Sequence, residues 1–211
     1  MTQTARNLRS GPNSAIPNVI FALLIANGLV FALQQFSGRF LVINFGLWPA
    51  GVPGSPFAPW QVVTYGFLHG NVVHLAFNMF ALWMFGRELE ILMGARRFVV
   101  YYFTCVIGAA IVQLIVAGLQ ADEVGLYPTI GASGGVFGIL LAFGMAFPNR
   151  MIMLLFPPIP MKAKYFVIIY GLLELYLGVA GAAPGVAHFA HLGGMLFGFL
   201  LIRYWNRPRK R

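Results

Sequence analysis

The chain has 211 residues, 59% of them hydrophobic and 9% charged, with a mean hydropathy of +0.79 and a formal net charge of +9. Soluble domains carry about 25% charged residues, so this composition excludes a soluble globular fold and predicts an all-α, polytopic membrane protein. The basic excess points to anionic lipid at one membrane face and away from nucleic acid.

Six stretches of low charge are expected to form transmembrane helices, because about 20 apolar residues cross a bilayer core of roughly 30 Å. They are residues 18–36, 67–86, 98–118, 131–147, 165–182 and 186–202. The first follows Arg6 and Arg9 and is read as a span, because no small-residue cleavage site precedes "LQQFSGRF". Residues 1–17 and 205–211 are then tails on one domain, 18–204. The long connection 37–66 holds "GLWPAGVPGSPFAPW", too apolar and aromatic for a solvated loop. It admits two readings: a packed outer cap, or a partly embedded element beside a lateral entrance. Cys105 is the only cysteine, which leaves no intrachain disulfide and no cysteine metal cluster.

Lys and Arg near span ends stay on the cytoplasmic side. With the N-terminus inside, Arg39 alone of the 14 basic residues falls outside. A bacterial-type plasma membrane with both termini cytoplasmic is the expectation.

Polar side chains inside spans are costly and therefore informative. The second, fourth and sixth spans carry theirs in the outer half: His69, His74 and Asn78, then Ser133, then His188 and His191. Ser133 and His191 should lie roughly 3 to 8 Å below the outer ends at 1.5 Å per residue, close enough to meet. In "GASGGVFG", Gly131, Gly134, Gly135 and Gly138 clear bulk from a helix start, whose free amides favour a developing anion. Two readings stand for Ser133: a nucleophile beside an oxyanion site, or a backbone-bonded serine in a small-residue packing seam. His74 and Asn78, four apart, share a helical face and both can donate to an oxyanion. Gly194 and Gly198 form GxxxG, a close-packing motif, with His191 one turn before it. His188 is read as a buried, hydrogen-bonded histidine. Glu174, the only charge within a span, is read as protonated and structural. No acid stands in sequence where it would orient His191, so a Ser-His pair without an acidic member is expected.

Taken together, "PWQVVTYGFLHG", "HGNVVHLAFN", "GASGGVFG" and "AHLGGMLFG", in this order and spacing over residues 18 to 203, resemble the rhomboid intramembrane serine proteases. The resemblance implies a six-helix bundle, Ser133 as nucleophile and His191 as base. It implies an oxyanion hole from His74, Asn78 and the Ser133 amide, and Phe137 packed on the catalytic histidine. Only His191 precedes Gly194 and Gly198 at the family spacing. Glu90 fits a structural acid at the inner end of the second span, while Trp60-Gln61 stands where many members have Trp-Arg.

The function so implied is hydrolysis of peptide bonds in or near transmembrane helices of other membrane proteins, without cofactor or metal. A non-proteolytic protein holding transmembrane clients is one alternative. A haem- or metal-handling protein using His69, His74, His188 and His191 is another. Oligomeric state is not legible in the sequence.

Overall fold

A computed structural model describes residues 16–153, 158–182 and 185–207. Arg6, Arg9, Arg209, Lys210 and Arg211, which contribute to the charge pattern, and most of the two tails lie outside these residues.

Six long helices fall on the six expected stretches: α1 (Asn18–Phe45), α3 (Val72–Met93), α4 (Ala95–Val124), α5 (Ser133–Ala146), α6 (Ala163–Ala180) and α7 (His188–Trp205). A single turn, α2 (Gln61–Thr64), continues into a 3₁₀ turn over Tyr65–Phe67. Between α5 and α6, β1 (Met151–Met153) pairs antiparallel with β2 (Pro160–Lys162). By length and apolar content, α1, α4 and α6 can each cross a membrane, and α5 is a shorter apolar helix.

The element ends have local causes. Pro17 precedes α1, and the Glu90 carboxylate accepts from the first-turn amides of Val19 (3.0 Å) and Ile20 (2.8 Å). A negative charge there answers both the orphan amides and the helix dipole. The Asn71 side chain caps α3 by accepting from the His74 amide at 2.8 Å. Gly94, at φ 79°, makes the one-residue corner that turns α3 into α4.

Three boundaries differ from the sequence reading. The first helix continues past residue 36 to Phe45 through a kink at Ser37 (φ −136°, ψ 32°), so Arg39 is helical. The third runs past residue 118 to Val124, which places Asp122 and Glu123 on its last turn. Ser133 is the first residue of α5 and not a turn within it. In each case the helix ends where backbone geometry changes rather than where apolarity does.

α4 packs against α5 and α7, and α5 against α7. Glycine makes these approaches possible. A Cβ on Gly194 would run into the backbone of Gly134, one on Gly134 into Ala109, and one on Gly138 or Gly198 against Cys105. The core of Phe98, Tyr101, Tyr102, Cys105 and Ile139 lies around this seam. Two buried tyrosines brace it: Tyr101 donates to the Gly138 carbonyl (2.7 Å) and Tyr65 to that of Val106 (2.8 Å).

The long connection is a pinned cap. Leu47 exchanges two backbone hydrogen bonds with Thr129, and Phe57 packs on the core. Gln61, fully buried, accepts from the Trp48 amide (3.2 Å) and donates to the carbonyls of Pro56 (3.0 Å) and Asn44 (3.3 Å). The amide that stands where the family often has arginine thus fastens this segment to α1 without a charge.

Candidate active site

The helix ends near Thr129 surround a cavity of about 1470 Å³. His74 and Asn78 from α3, Ser133 and Phe137 from α5, and His188 and His191 from α7 all line it. The segment before Ser133 is tightly fixed. Gly131 donates its amide to the Tyr65 carbonyl at 3.0 Å, and its φ of 131° favours glycine. A Cβ there would also lie 2.8 Å from the His74 ring. Ser133 then opens α5, where the first backbone amides have no intrahelical acceptor.

The Ser133 Oγ lies 2.8 Å from Nε2 of His191, and Nδ1 of the same ring lies 2.8 Å from Oε2 of Glu174. The carboxyl oxygen accepts from Nδ1–H, which leaves Nε2 free to accept the serine hydroxyl proton. Phe137 stacks on the imidazole at 4.2 Å between centroids and 4° between planes, fixing its orientation.

This corrects the expectation of a pair without an acidic member. Glu174 is 17 residues from His191 and on a different helix, so no local spacing signals their contact. The one available signal was a lone acid in the middle of an apolar stretch.

His188 stands on the far side of the same carboxyl, its Nδ1 2.7 Å from Oε2 of Glu174 and its Nε2 3.2 Å from the Ala182 carbonyl. A carbonyl can only accept, so Nε2 carries a proton. A second proton must lie between Nδ1 and Oε2, since two lone pairs would otherwise face each other. The buried Glu174–His188 pair is therefore neutral overall, whichever partner holds that proton. His188 is hydrogen-bonded, as expected, and does not touch Ser133.

His74 is suited to donate. The Gly70 amide approaches its Nδ1 at 3.4 Å, which puts the ring proton on Nε2, the atom against Gly131 near Ser133. Asn78 lines the cavity, but its amide donates to the His74 carbonyl within α3 (2.9 Å). His69 packs edge-on against the His74 ring at 5.1 Å between centroids, its own nitrogens without a hydrogen-bond partner among the described residues. The four histidines do not converge on one point. Among the described residues, the group whose ligand atoms do converge, within 4.8 Å, is Glu174, His188 and His191.

Comparison with known proteins agrees with this architecture. The Rhomboid domain family model matches residues 56–207. Rhomboid protein 1, mitochondrial, of Saccharomyces cerevisiae is 32% identical over 188 residues, 87% of this chain and 52% of the relative. Rhomboid protease GluP of Bacillus subtilis is 32% identical over 151 residues, 71% of this chain and 27% of the relative. The presenilin-associated rhomboid-like protein, mitochondrial, of Mus musculus is 29% identical over 198 residues, 88% of this chain and 48% of the relative. The chain thus spans about half or less of the length of these relatives. Mitochondrial and bacterial proteins both match, so the comparisons give an integral membrane protein without singling out a bacterial plasma membrane. On the match over residues 56–207 and the apolar helices, this chain belongs to the rhomboid family of integral membrane proteins.

Proposed function

We propose that the chain is an intramembrane serine endopeptidase acting on transmembrane helices of other proteins. The observation that carries the reading is the 2.8 Å approach of Ser133 Oγ to a His191 ring whose other nitrogen is held by Glu174. Ser133 Oγ attacks the scissile carbonyl while its proton passes to His191 Nε2. The oxyanion is met by the Ser133 amide and His74 Nε2–H, joined by the second N–H of the Asn78 amide, whose first is held by the His74 carbonyl. The tetrahedral adduct collapses, the C–N bond breaks, and the amine leaves with the proton from His191. Water, deprotonated by the same ring, then attacks the resulting Ser133 ester, and its collapse returns the hydroxyl to the serine. Glu174 keeps Nδ1–H aligned throughout.

The proposal includes six spans, with α3, α5 and α7 crossing beside α1, α4 and α6, as one domain over residues 18–204. Both termini are cytoplasmic and the cavity opens to the outer face, by the distribution of Lys and Arg. The bacterial-type plasma membrane stays in the proposal on that charge pattern alone. A substrate helix must unwind to present its carbonyl, which favours small residues at the cut and Gly or Pro nearby.

The test is cleavage of a model transmembrane substrate by the purified protein, with labelling by a fluorophosphonate. Ser133→Ala and His191→Ala should each abolish cleavage in a folded protein, and Ser133→Ala should abolish labelling, because nucleophile and base act as one unit. Near-wild-type cleavage by either variant refutes the assignment. A folded wild type that binds the substrate and neither cleaves it nor labels would instead be a non-proteolytic client-binding protein.

A further inference from the structure

We propose that Glu174, His188 and His191 form an inhibitory site for a zinc-class divalent cation, which ligates through Nδ1 of both histidines and Oε2 of the carboxylate. Among the described residues this is the group of metal-ligating side chains whose donor atoms converge, all within 4.8 Å, and all three residues are buried. Both Nδ1 atoms already face the same oxygen, at 2.7 and 2.8 Å. Two imidazoles and one carboxylate are a zinc-type donor set, with too few oxygens for calcium or magnesium.

The surroundings have the pattern that holds ligating histidines in place, in which the nitrogen away from the metal donates to an oxygen. His188 Nε2 faces the Ala182 carbonyl at 3.2 Å, and His191 Nε2 faces Ser133 Oγ at 2.8 Å. Metal–ligand bonds of about 2.0–2.2 Å in tetrahedral array need donors about 3.3 Å apart. The two Nδ1 atoms must therefore each part from Oε2 by roughly half an ångström and sit at the same separation from one another, starting from within 4.8 Å, an adjustment of side-chain torsions. Leu177, Gly178, His188 and His191 line the cavity, which gives the ion an entry path and water a fourth position.

The consequence for catalysis follows from the protons. The ion displaces the one proton shared by Glu174 and His188, which goes to solvent. His191 keeps its proton but moves it from Nδ1, now a metal ligand, to Nε2. Nε2–H then points at Ser133 Oγ as a donor and cannot accept the hydroxyl proton. Inhibition rests on the reading of Ser133 and His191 as nucleophile and base, whereas the binding itself does not.

The experiment uses the full chain, purified in detergent and freed of metal, titrated with Co²⁺ as a spectroscopic stand-in and then with Zn²⁺. Visible absorption of tetrahedral Co²⁺ should saturate at one equivalent and be displaced by Zn²⁺. It should keep its form in Ser133→Ala, with affinity lowered by no more than about 10- to 100-fold by loss of the outer acceptor, and vanish in His188→Phe, with His188→Gln used if the phenylalanine variant unfolds. Zn²⁺ should slow wild-type cleavage by about 100-fold or more, the scale of a lost general base, reversibly on chelation, and leave cleavage by the His188 variant unaffected. Absence of the Co²⁺ spectrum, an unchanged spectrum in the His188 variant, or zinc-loaded wild type cleaving at the metal-free rate overturns the proposal. If no variant cleaves because the protease reading is wrong, the spectra alone still decide whether the metal site exists.

Discussion

At the scale of single residues, the two proposed oxyanion donors of α3 are not equivalent. His74 presents an Nε2–H fixed by Gly70, while the Asn78 amide already spends one of its two N–H groups on the His74 carbonyl and has only the other to offer. Loss of one oxyanion donor commonly costs about 10² to 10³ in rate. His74→Ala should fall in that range and Asn78→Ala below it, measured as kcat on a transmembrane substrate. Equal or reversed losses would show that the second N–H of Asn78 is at least as strong a donor as His74. Glu174 gives a second prediction. Glu174→Leu leaves the buried Nδ1–H of His191 without an acceptor, at a cost of about 1–3 kcal/mol, which is roughly 5- to 160-fold in rate if borne by the transition state. Glu174→Gln, which still offers a carbonyl oxygen, should lose less. If both variants turned over like wild type, His191 would be held by Phe137 alone.

At the scale of elements, charge fixes one end of α1 and glycine fixes the seam of α4, α5 and α7. Glu90 is buried, and its two oxygens serve two amides of α1 rather than a basic side chain. Glu90→Gln keeps the shape but removes the charge facing the helix dipole and replaces one acceptor with a donor. A destabilisation of about 1–3 kcal/mol should result, read as a lower thermal unfolding midpoint in detergent. An unchanged midpoint would mean that α1 is held by packing alone. The seam explains why the serine and the histidine meet: Gly194 lies on the backbone of Gly134, directly beside Ser133. That approach brings the first turns of α5 and α7 together, where Ser133 and His191 share a hydrogen bond.

At the scale of the whole molecule, solvent and orientation are decided by surface. Phe36 is 90% exposed, Leu119 81% and Val179 75%, values that suit lipid contact and not water. Arg150 pairs with Glu88 at 3.1 Å, which brings the ends of α3 and α5 together at the end of the bundle away from Ser133. The pair is exposed and adds less than about 1 kcal/mol; its value is positional. Reporter fusions between α4 and α5, at residues 125–132, should therefore map outside, and fusions near residue 150 inside. Products should be cut near the outer membrane boundary of their substrates. Fusions with the opposite pattern would invert the orientation and close the proposed route to the cavity.

The sequence by itself determined the solvent, the helical stretches and the residues that bear chemistry. Hydropathy and side-chain type are local properties, and costly polar groups in apolar runs identify themselves. Ser133, His191, His74 and Asn78 were legible in this way and Phe137 by the family resemblance alone, and the structure gathers all five around one cavity. Gly134 and Gly194 were legible as close-packing residues. What only tertiary structure decided is which groups share a hydrogen bond. Glu174 reaches His191 and His188 because α6 lies against α7 at one rotation and height. Gln61 reaches Pro56, Asn44 and Trp48 because the connection folds back over α1. Hydrogen bonds hold to within a few tenths of an ångström, and that precision comes from the packing of helices distant in sequence, which no local pattern records.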